Sequence, residues 1–256
     1  MNDRIAIVTG ASQGIGRATA VRLARDFGAI VLVARSEDKL RETAHEVVAA
    51  GARASVVPAD LSEAPAASEI VRQAIAAFGR IDAVVNIAGA VPQVDVLEMT
   101  DEQWDSGFAL KLHGARRLTI QAWPALRASR GSVVFTSGNS AQFPKAGYAA
   151  VGTVNAAIVA LSKAFADKGL QDGIQVNSVL PGPVMTGRRR SYLAQWAQAH
   201  GMSVEEAMLG FPKEAGIARY GEPEEIAALM AFLLSPAAKW MTGSALRMDG
   251  GEVKAV

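Results

Sequence analysis

Thr9-Gly10-Ala11-Ser12-Gln13-Gly14-Ile15-Gly16-Arg17 is the stretch of sequence that decides the fold. It follows an apolar run at residues 5–8 and precedes a segment of helical periodicity at 16–27. Three spaced glycines permit a tight turn and let the backbone approach a ligand closely. The helix that follows offers unpaired N–H groups and the positive end of its dipole, which together bind phosphate groups. The stretch therefore predicts a phosphate-binding turn between strand and helix, with an ordinary glycine-rich turn as the alternative.

Short apolar runs alternate with longer helical segments along the whole chain. The predicted strands are 5–8, 30–33, 54–57, 83–85, 132–135, 175–179 and 245–248, and they show little polar alternation, as in strands covered on both faces. Helices are predicted at 16–27, 38–50, 63–78 and 101–128, with Gly28, Gly51 and Gly79 as C-caps of the first three. This alternation predicts an α/β fold, a Rossmann-type doubly wound parallel sheet of about seven strands with helices on both faces.

The segment from Pro183 to about residue 213 breaks this alternation and contains a predicted helix at 192–199. Ligands of doubly wound folds bind at the carboxyl ends of the strands, so an insertion after a late strand is expected to cover the ligand. We therefore expect a single dinucleotide-binding domain over residues 1–256 with a substrate lid at about 183–213.

Composition excludes several classes of function. The chain of 256 residues has 26 Lys and Arg against 25 Asp and Glu, so its net charge of +1 offers no basic excess for nucleic acid. It has no cysteine, and its three histidines are far apart, so neither a disulfide nor a metal site is expected. The longest uncharged segment, between Lys145 and Lys163, is too short to span a membrane, and no targeting segment is evident. A cytoplasmic protein that binds no membrane is the expectation.

The glycine spacing Gly-x-x-x-Gly-x-Gly resembles that of the short-chain dehydrogenase/reductase family, and further matches follow in order. Asp60-Leu61 is similar to the family's adenine-contacting pair, and Asn86-Ile87-Ala88-Gly89 resembles its Asn-Asn-Ala-Gly motif. Residues 177–186 resemble the segment that closes over the nicotinamide, and 242–251 are similar to the family's terminus. The resemblance covers essentially the whole chain. It implies an oxidoreductase that transfers a hydride to or from a carbonyl or alcohol, a small-molecule substrate, with a nicotinamide cofactor.

The resemblance also implies which residues bind the cofactor. They are Gly10, Ser12, Gln13, Gly14, Ile15, Gly16, Arg35, Asp60, Leu61, Asn86, Ala88, Gly89, Asn155, Pro181, Gly182, Val184 and Thr186. Ala34 stands where NAD-specific members carry an acid for the ribose 2′-hydroxyl, and Arg35 follows it. A guanidinium at that place can hold a 2′-phosphate, which favours NADP over NAD. An arginine on the surface, or stacked on adenine, is the alternative.

The family's catalytic Asn, Ser, Tyr and Lys are missing from the positions that the resemblance assigns to them. Aligned on residues 155–164, the lysine position holds Asn155, the tyrosine position Val151 and the serine position Gly138, while the asparagine position holds Lys111. Removing a positioned acid typically costs about 10²–10⁴-fold in rate, and removing an oxyanion donor about 10²–10³-fold. Ordinary carbonyl reduction therefore needs substitute groups.

Two residues are the candidate substitutes. Lys111 lies on a helix whose family counterpart faces the site, so its ammonium is the first candidate for proton donor or electrostatic stabiliser. Tyr148 is the second, because it precedes Val151 by about one helical turn. A solvent-facing lysine and a tyrosine packed at the helix start are the alternatives, and Ser137 and Ser140 are further hydroxyls nearby.

Other possibilities stay open at the level of sequence. The protein could be a catalytically inactive NADP-binding sensor or assembly subunit, or a lyase or isomerase that uses Lys111 in the same pocket. The run Arg188-Arg189-Arg190 is either a solvated turn or a clamp for an anionic substrate.

By resemblance to the family, a homodimer or homotetramer is expected through the helices at 101–128 and 147–167.

Overall fold

The computed structural model describes residues 3–255, which fold around one parallel β-sheet. Its strands are β1 (Ile5–Thr9), β2 (Ala29–Ala34), β3 (Arg53–Pro58), β4 (Ala83–Asn86), β5 (Ser132–Thr136), β6 (Gln175–Pro181) and β7 (Ala245–Met248). They lie in the order β3-β2-β1-β4-β5-β6-β7, and every neighbouring pair is parallel. The predicted fold class is confirmed. Met1, Asn2 and Val256 belong to the predicted domain but lie outside the described residues.

Helices cover both faces of this sheet. They are α1 (Gly14–Leu23), α2 (Glu37–Ala49), α3 (Ala66–Phe78), α4 (Asp101–Gly107), α5 (Ala115–Ser129), α6 (Ala149–Asp172), α7 (Gly187–Ala199), α8 (Val204–Ala215) and α9 (Pro223–Leu233). Gly51 and Gly79 follow α2 and α3 with φ of +106° and +75°, as predicted for helix ends. The prediction for Gly28 was wrong: α1 ends at Leu23, and the Gly28 N–H donates to the Arg4 carbonyl.

The helix predicted over 101–128 changes its hydrogen-bonding pattern in the middle. Thr100 begins α4 with a capping box to Gln103, and α5 ends at Ser129. Between the two helices, Phe108–Gly114 is π-helical. Such wide turns are frequent at functional sites, and this one carries Lys111.

Alternating strand residues send their side chains to opposite faces of the sheet, which gives the protein a core on each side. Ile5 and Ile7 of β1 pack in one core with residues of α3, α5 and α6, including Leu118 and Ile158. The residues between and after them on β1 pack in the other core with α1, α2 and α9. The helices are thereby fixed against the sheet, and the carboxyl ends of the strands meet along one edge.

One helix is long and apolar enough to span a bilayer by length and composition. It covers Ala146–Asp172, which is α6 with the short 3₁₀ turn before it (Ala146–Tyr148), and 39% of its most apolar window is buried. Ile158 and Ala166 of this helix belong to the sheet's core. The sequence prediction of a buried helix here is consistent with that packing.

Two helices, α7 and α8, form the insertion after β6. The helix predicted at 192–199 is α7, which begins earlier, at Gly187, with Thr186 as its N-cap. Helix α8 was not predicted, although Ser203 and Glu206 form a capping box that marks its start. The two helices share a small apolar cluster, which includes Leu193 and Ala207.

Candidate active site

The glycine-rich turn joins β1 to α1 in a conformation that larger residues resist. Gly10 and Gly14 have φ of +66° and +55°, and a Cβ on Gly16 would lie 2.1 Å from the Gly10 carbonyl oxygen. Gln13, the N-cap of α1, makes no side-chain hydrogen bond to the helix. The N–H groups of the first turn therefore lack a side-chain cap, which is the arrangement that accepts a phosphate.

The ends of β1 and β4 are held together beside this turn. The Thr9 hydroxyl accepts the backbone N–H groups of Ile87 (2.9 Å) and Ala88 (3.0 Å). A Cβ on Gly10 would approach the Ala88 backbone to 3.1 Å, so the two loops lie in close contact. Thr186 also lies against the glycine-rich turn, because its Cγ2 would be 3.2 Å from a Cβ on Gly14.

These loops surround a cleft of about 450 Å³. Most of the predicted cofactor-binding residues line it, namely Gly10, Ser12, Gln13, Gly14, Ile15, Gly16, Arg35, Asp60, Leu61, Ala88, Gly89 and Thr186. Sequence reasoning did not find the other lining residues, which are Val33, Ala34, Ser36, Lys39, Ala59, Ile87, Ala90, Leu110, Gly187 and Arg188. Many of these residues are adjacent in sequence to a predicted residue, and this adjacency is the signal that could have identified them.

The remaining predicted cofactor residues do not line this cleft. Asn86 is buried and donates to the Thr119 hydroxyl at 3.1 Å. Val184 is buried in the core on one side of the sheet. Pro181 and Gly182 line a second cavity, and so does Asn155.

Arg35 and Lys39 lie exposed at the far end of the cleft, beside Ser36. Within residues 3–255, neither cation has a carboxylate within 4 Å. Across the cleft, the Asp60 carboxylate accepts the N–H and the hydroxyl of Ser62 at 2.9 and 2.7 Å. These hydrogen bonds, and less strongly the charge of Arg35, lower the pKa of Asp60. The end of the cleft thus presents two available cations and one fixed anion.

Lys111 lies in the wall beside the cleft. Its aliphatic chain packs on Gly89, where a Cβ would lie 2.9 Å from the lysine Cδ. Its ammonium donates to the Asn155 Oδ1 at 2.5 Å and to the Ser137 carbonyl at 3.1 Å. Burial, and secondarily the charge of Arg188, lowers the pKa of Lys111 to about 8. The alternative of a solvent-facing lysine is therefore wrong.

Asn155 continues this polar chain toward the second cavity. Its side chain is buried, and its Nδ2 donates to the Ser140 hydroxyl at 2.8 Å. The Ser137 hydroxyl in turn donates to the Asn155 carbonyl at 2.7 Å. Lys111, Asn155 and Ser140 thus form one continuous hydrogen-bonded chain.

The second cavity has a volume of about 640 Å³ and lies under α7 and α8. Its inner wall includes Gly138, Ser140, Tyr148, Val151 and Asn155. Its outer wall comes from the insertion and includes Arg189, Tyr192, Leu193, Trp196, Ala207 and Phe211. Lys111 is not among the lining residues of either cavity. Of the two candidate substitutes, only Tyr148 faces a cavity directly.

Comparison with known proteins supports the resemblance that the motifs imply. A family profile described as enoyl-(acyl carrier protein) reductase matches residues 10–252. The short-chain reductase protein NovJ of Streptomyces niveus is 32% identical over 249 residues, which cover 97% of this chain and 94% of NovJ. The chain belongs to the short-chain dehydrogenase/reductase family.

Solved structures of this family superpose closely on the chain. L-sorbose reductase from Gluconobacter frateurii, in complex with NADPH and L-sorbose, matches with a TM-score of 0.95 at 30% identity, over 100% of this chain and 98% of that one. An actinorhodin polyketide ketoreductase with NADPH matches with a TM-score of 0.92 at 30% identity, over 97% of each chain. The chain is thus an oxidoreductase of the short-chain dehydrogenase/reductase type.

Three of the positions that resemblance assigns to the family's catalytic residues (138, 151 and 155) lie on the inner wall of the second cavity, and the fourth, Lys111, contacts this wall through its hydrogen bond to Asn155. A Cβ on Gly138 would lie 2.6 Å from the Asn155 Nδ2, so a glycine at the serine position leaves room for that amide. Val151 offers no proton donor, whereas Tyr148, the N-cap of α6, lines the cavity beside it. Ser140, two residues beyond Gly138, places a hydroxyl on the same wall.

Proposed function

We propose that the protein is an NADP(H)-dependent oxidoreductase that transfers a hydride to or from a carbonyl or alcohol substrate, with a non-standard catalytic set. The observation that carries the proposal is the wall between the two cavities. Lys111 packs on Gly89, which lines the nucleotide cleft, and bonds to Asn155, which lines the second cavity. One polar chain thus links a nucleotide cleft to a cavity large enough for a small molecule.

The cleft fits NADP(H) by its own chemistry. The uncapped first turn of α1 and the turn glycines would hold the pyrophosphate. Arg35 and Lys39, with Ser36 beside them, would hold a 2′-phosphate, because their charges have no carboxylate partner in the described residues. The NADPH complexes of two related structures support this assignment. When bound, NADPH supplies the hydride.

The second cavity would place the substrate oxygen against Ser140. The Ser140 hydroxyl accepts from Asn155, so its own O–H is free to donate into the cavity. The Lys111 ammonium donates to the side-chain Oδ1 of Asn155, and its positive charge makes the Asn155 Nδ2 a stronger hydrogen-bond donor. The stronger hydrogen bond from Nδ2 in turn polarises the Ser140 hydroxyl. In this scheme Ser140 is the catalytic donor to a developing oxyanion, and Lys111 and Asn155 are positioning residues.

The proton itself needs a different source. An amide is not a general acid at neutral pH, so Asn155 does not pass a proton on from Lys111. The phenol of Tyr148 is an acid on the inner wall of the cavity, about one helical turn before Val151. We assign the proton donor to Tyr148 and the role of electrostatic stabiliser to Lys111.

The test measures nucleotide binding and turnover separately. Titration of the pure protein with NADPH and NADH gives the cofactor preference, and NADPH oxidation is then followed with a panel of carbonyl compounds. Tyr148→Phe is expected to lower kcat by about 10²–10⁴-fold with unchanged NADPH affinity. Tyr192→Phe, which removes another phenol from the same cavity, is the matched control.

The outcomes separate this proposal from its alternatives. NADPH binding without turnover of any carbonyl would contradict the oxidoreductase assignment and favour a nucleotide sensor. Unchanged turnover in Tyr148→Phe would remove Tyr148 as the acid. Borohydride trapping of a substrate on Lys111 would point to a lyase or isomerase instead.

A further inference from the structure

The three adjacent arginines at the start of α7 point to three different places. Arg188 donates to the Gly89 carbonyl at 2.9 Å and lines the nucleotide cleft. Arg189 lines the second cavity. Arg190 is exposed and lines neither. A single clamp of three cations is therefore wrong, and only Arg189 faces the place where we propose that the substrate binds.

Two aromatic rings hold the Arg189 guanidinium in that cavity. Its Cζ lies 5.3 Å from the ring centroid of Phe211 on α8 and 5.8 Å from that of Tyr192 on α7. Such contacts restrict a planar guanidinium and leave its edge free for hydrogen bonds. The backbone N–H of Arg189 donates to the Thr186 hydroxyl at 3.2 Å, but within residues 3–255 its guanidinium N–H groups have no protein acceptor and no carboxylate within 4 Å. Arg189 is half-buried, preorganised and without an ionic partner in the described chain.

Three carboxylates line the same cavity, so Arg189 alone does not decide the sign of the electrostatic potential in it. Glu206 accepts both the N–H and the hydroxyl of Ser203 at 2.8 Å as the cap of α8. Glu252 accepts the Asn139 amide at 2.5 Å. Glu214 is exposed, where water solvates its charge. Hydrogen bonds hold Glu206 and Glu252 in place and Glu214 is exposed, whereas the Arg189 guanidinium has no protein partner in the described residues.

We propose that the second cavity takes carbonyl substrates that carry one carboxylate, and that Arg189 binds this carboxylate. The inference rests on the proposed function in taking this cavity as the substrate site. A guanidinium edge matches a carboxylate with two parallel, charge-assisted hydrogen bonds. With Ser140 on the inner wall and Arg189 on the outer wall, the substrate is held at its carbonyl end and at its charged end. In this scheme α7 and α8 form the lid over the substrate.

The test compares ligands that differ in charge at one end. A series of oxo acids of increasing chain length, each beside its methyl ester, is titrated calorimetrically into protein saturated with NADP⁺. We expect at least one acid to bind about tenfold or more tightly than its ester. Arg189→Gln should abolish this preference, and Arg190→Gln should keep it. Arg189→Lys retains the charge without the planar edge, so it should retain part of the preference and thereby exclude a merely structural loss.

Each outcome bears on the proposal. Equal binding of acids and esters throughout the series would overturn it, and so would a preference that survives Arg189→Gln. Tighter binding of a matched amino ketone would also overturn it, because the three glutamates would then dominate. A carboxylate preference with no NADPH oxidation would leave this inference standing and refute the proposed oxidoreductase. NADPH oxidation without a preference for the acids would support the proposed oxidoreductase and overturn this inference.

Discussion

Replacing Lys111 by methionine removes a buried charge while keeping most of the side-chain volume. Burial first and Arg188 second lower the pKa of Lys111 from 10.5 to about 8. In the unfolded chain the lysine keeps its ordinary pKa, so between these two values the unfolded state binds more protons than the folded state. The free energy of unfolding therefore rises with pH in this range. The reason is that burying Lys111 as an ammonium costs free energy, and this cost disappears as the lysine becomes neutral in the folded protein.

The size of this effect follows from the two pKa values. At about pH 7 the ammonium costs the folded state about 3 kcal/mol, and by about pH 9.5 the cost falls to roughly 1.4 kcal/mol. The difference in free energy of unfolding between wild type and Lys111→Met should therefore shift by about 2 kcal/mol in favour of wild type. The absolute difference also contains the two hydrogen bonds lost from Asn155 and Ser137, but that part changes little with pH.

Urea unfolding of both proteins at about pH 7 and about pH 9.5, without nucleotide, measures this shift. Lys213→Met, which removes an exposed lysine from α8, is the matched control and should show no comparable shift. The kcat of the wild-type protein should fall as pH rises through about 8, where Lys111 loses its charge. The kcat of Lys111→Met should be lower by about 10²–10³-fold and should not show this fall with pH. An unfolding difference that stays constant with pH would refute the reasoning, because the ammonium would then be as well solvated as in the unfolded chain.

Three further substitutions test other parts of the site. Gly16→Ala should lower the free energy of unfolding by about 1–3 kcal/mol and weaken NADPH binding, because its Cβ would lie 2.1 Å from a backbone oxygen; Gly187→Ala, with nothing within 4 Å, should leave thermal stability nearly unchanged. Arg35→Gln should reduce the ratio of NADPH to NADH affinity by about tenfold or more in binding titrations, whereas an unchanged ratio would exclude a phosphate contact. Gly138→Ser, which introduces the family's serine, should lower kcat rather than raise it, because the new side chain would displace the Asn155 amide; steady-state kinetics with a carbonyl substrate decide the sign.

Most of the lining of the proposed nucleotide cleft could be predicted from the sequence because backbone geometry builds it. The turn at Gly10, Gly14 and Gly16 is specified by local glycine spacing, and hydrophobic periodicity places it between a buried strand and a helix. Arg35 follows directly from where β2 ends. These features depend on neighbours in the chain, so a single sequence is enough to predict them.

Other parts of the site depend on contacts between distant segments, which periodicity does not encode. The ammonium of Lys111 meets Asn155 across 44 positions of sequence, and the π-helical turn that carries the lysine has no distinct hydrophobic pattern. Lys39 joins the cleft because α2 packs beside it. The different directions of Arg188 and Arg189 follow from the first turn of α7, whose start the sequence prediction placed at residue 192. Tertiary packing decided the first two of these features, and the local start of α7 decided the third.

Lys111, Gly138 and Asn155, which stand where the resemblance assigns the family's asparagine, serine and lysine, depend on one another in this structure. Asn155 needs the Lys111 ammonium for its Oδ1, the Ser140 hydroxyl for its Nδ2 and the missing side chain at Gly138 for space. A buried amide with either end unpaired would cost about 1–3 kcal/mol, so neither partner can change alone without loss. By the resemblance drawn from the motifs, a lysine stands here at the family's asparagine position and an asparagine at its lysine position. In the proposed site, this paired network would hold Ser140 in position to stabilise charge on a substrate oxygen.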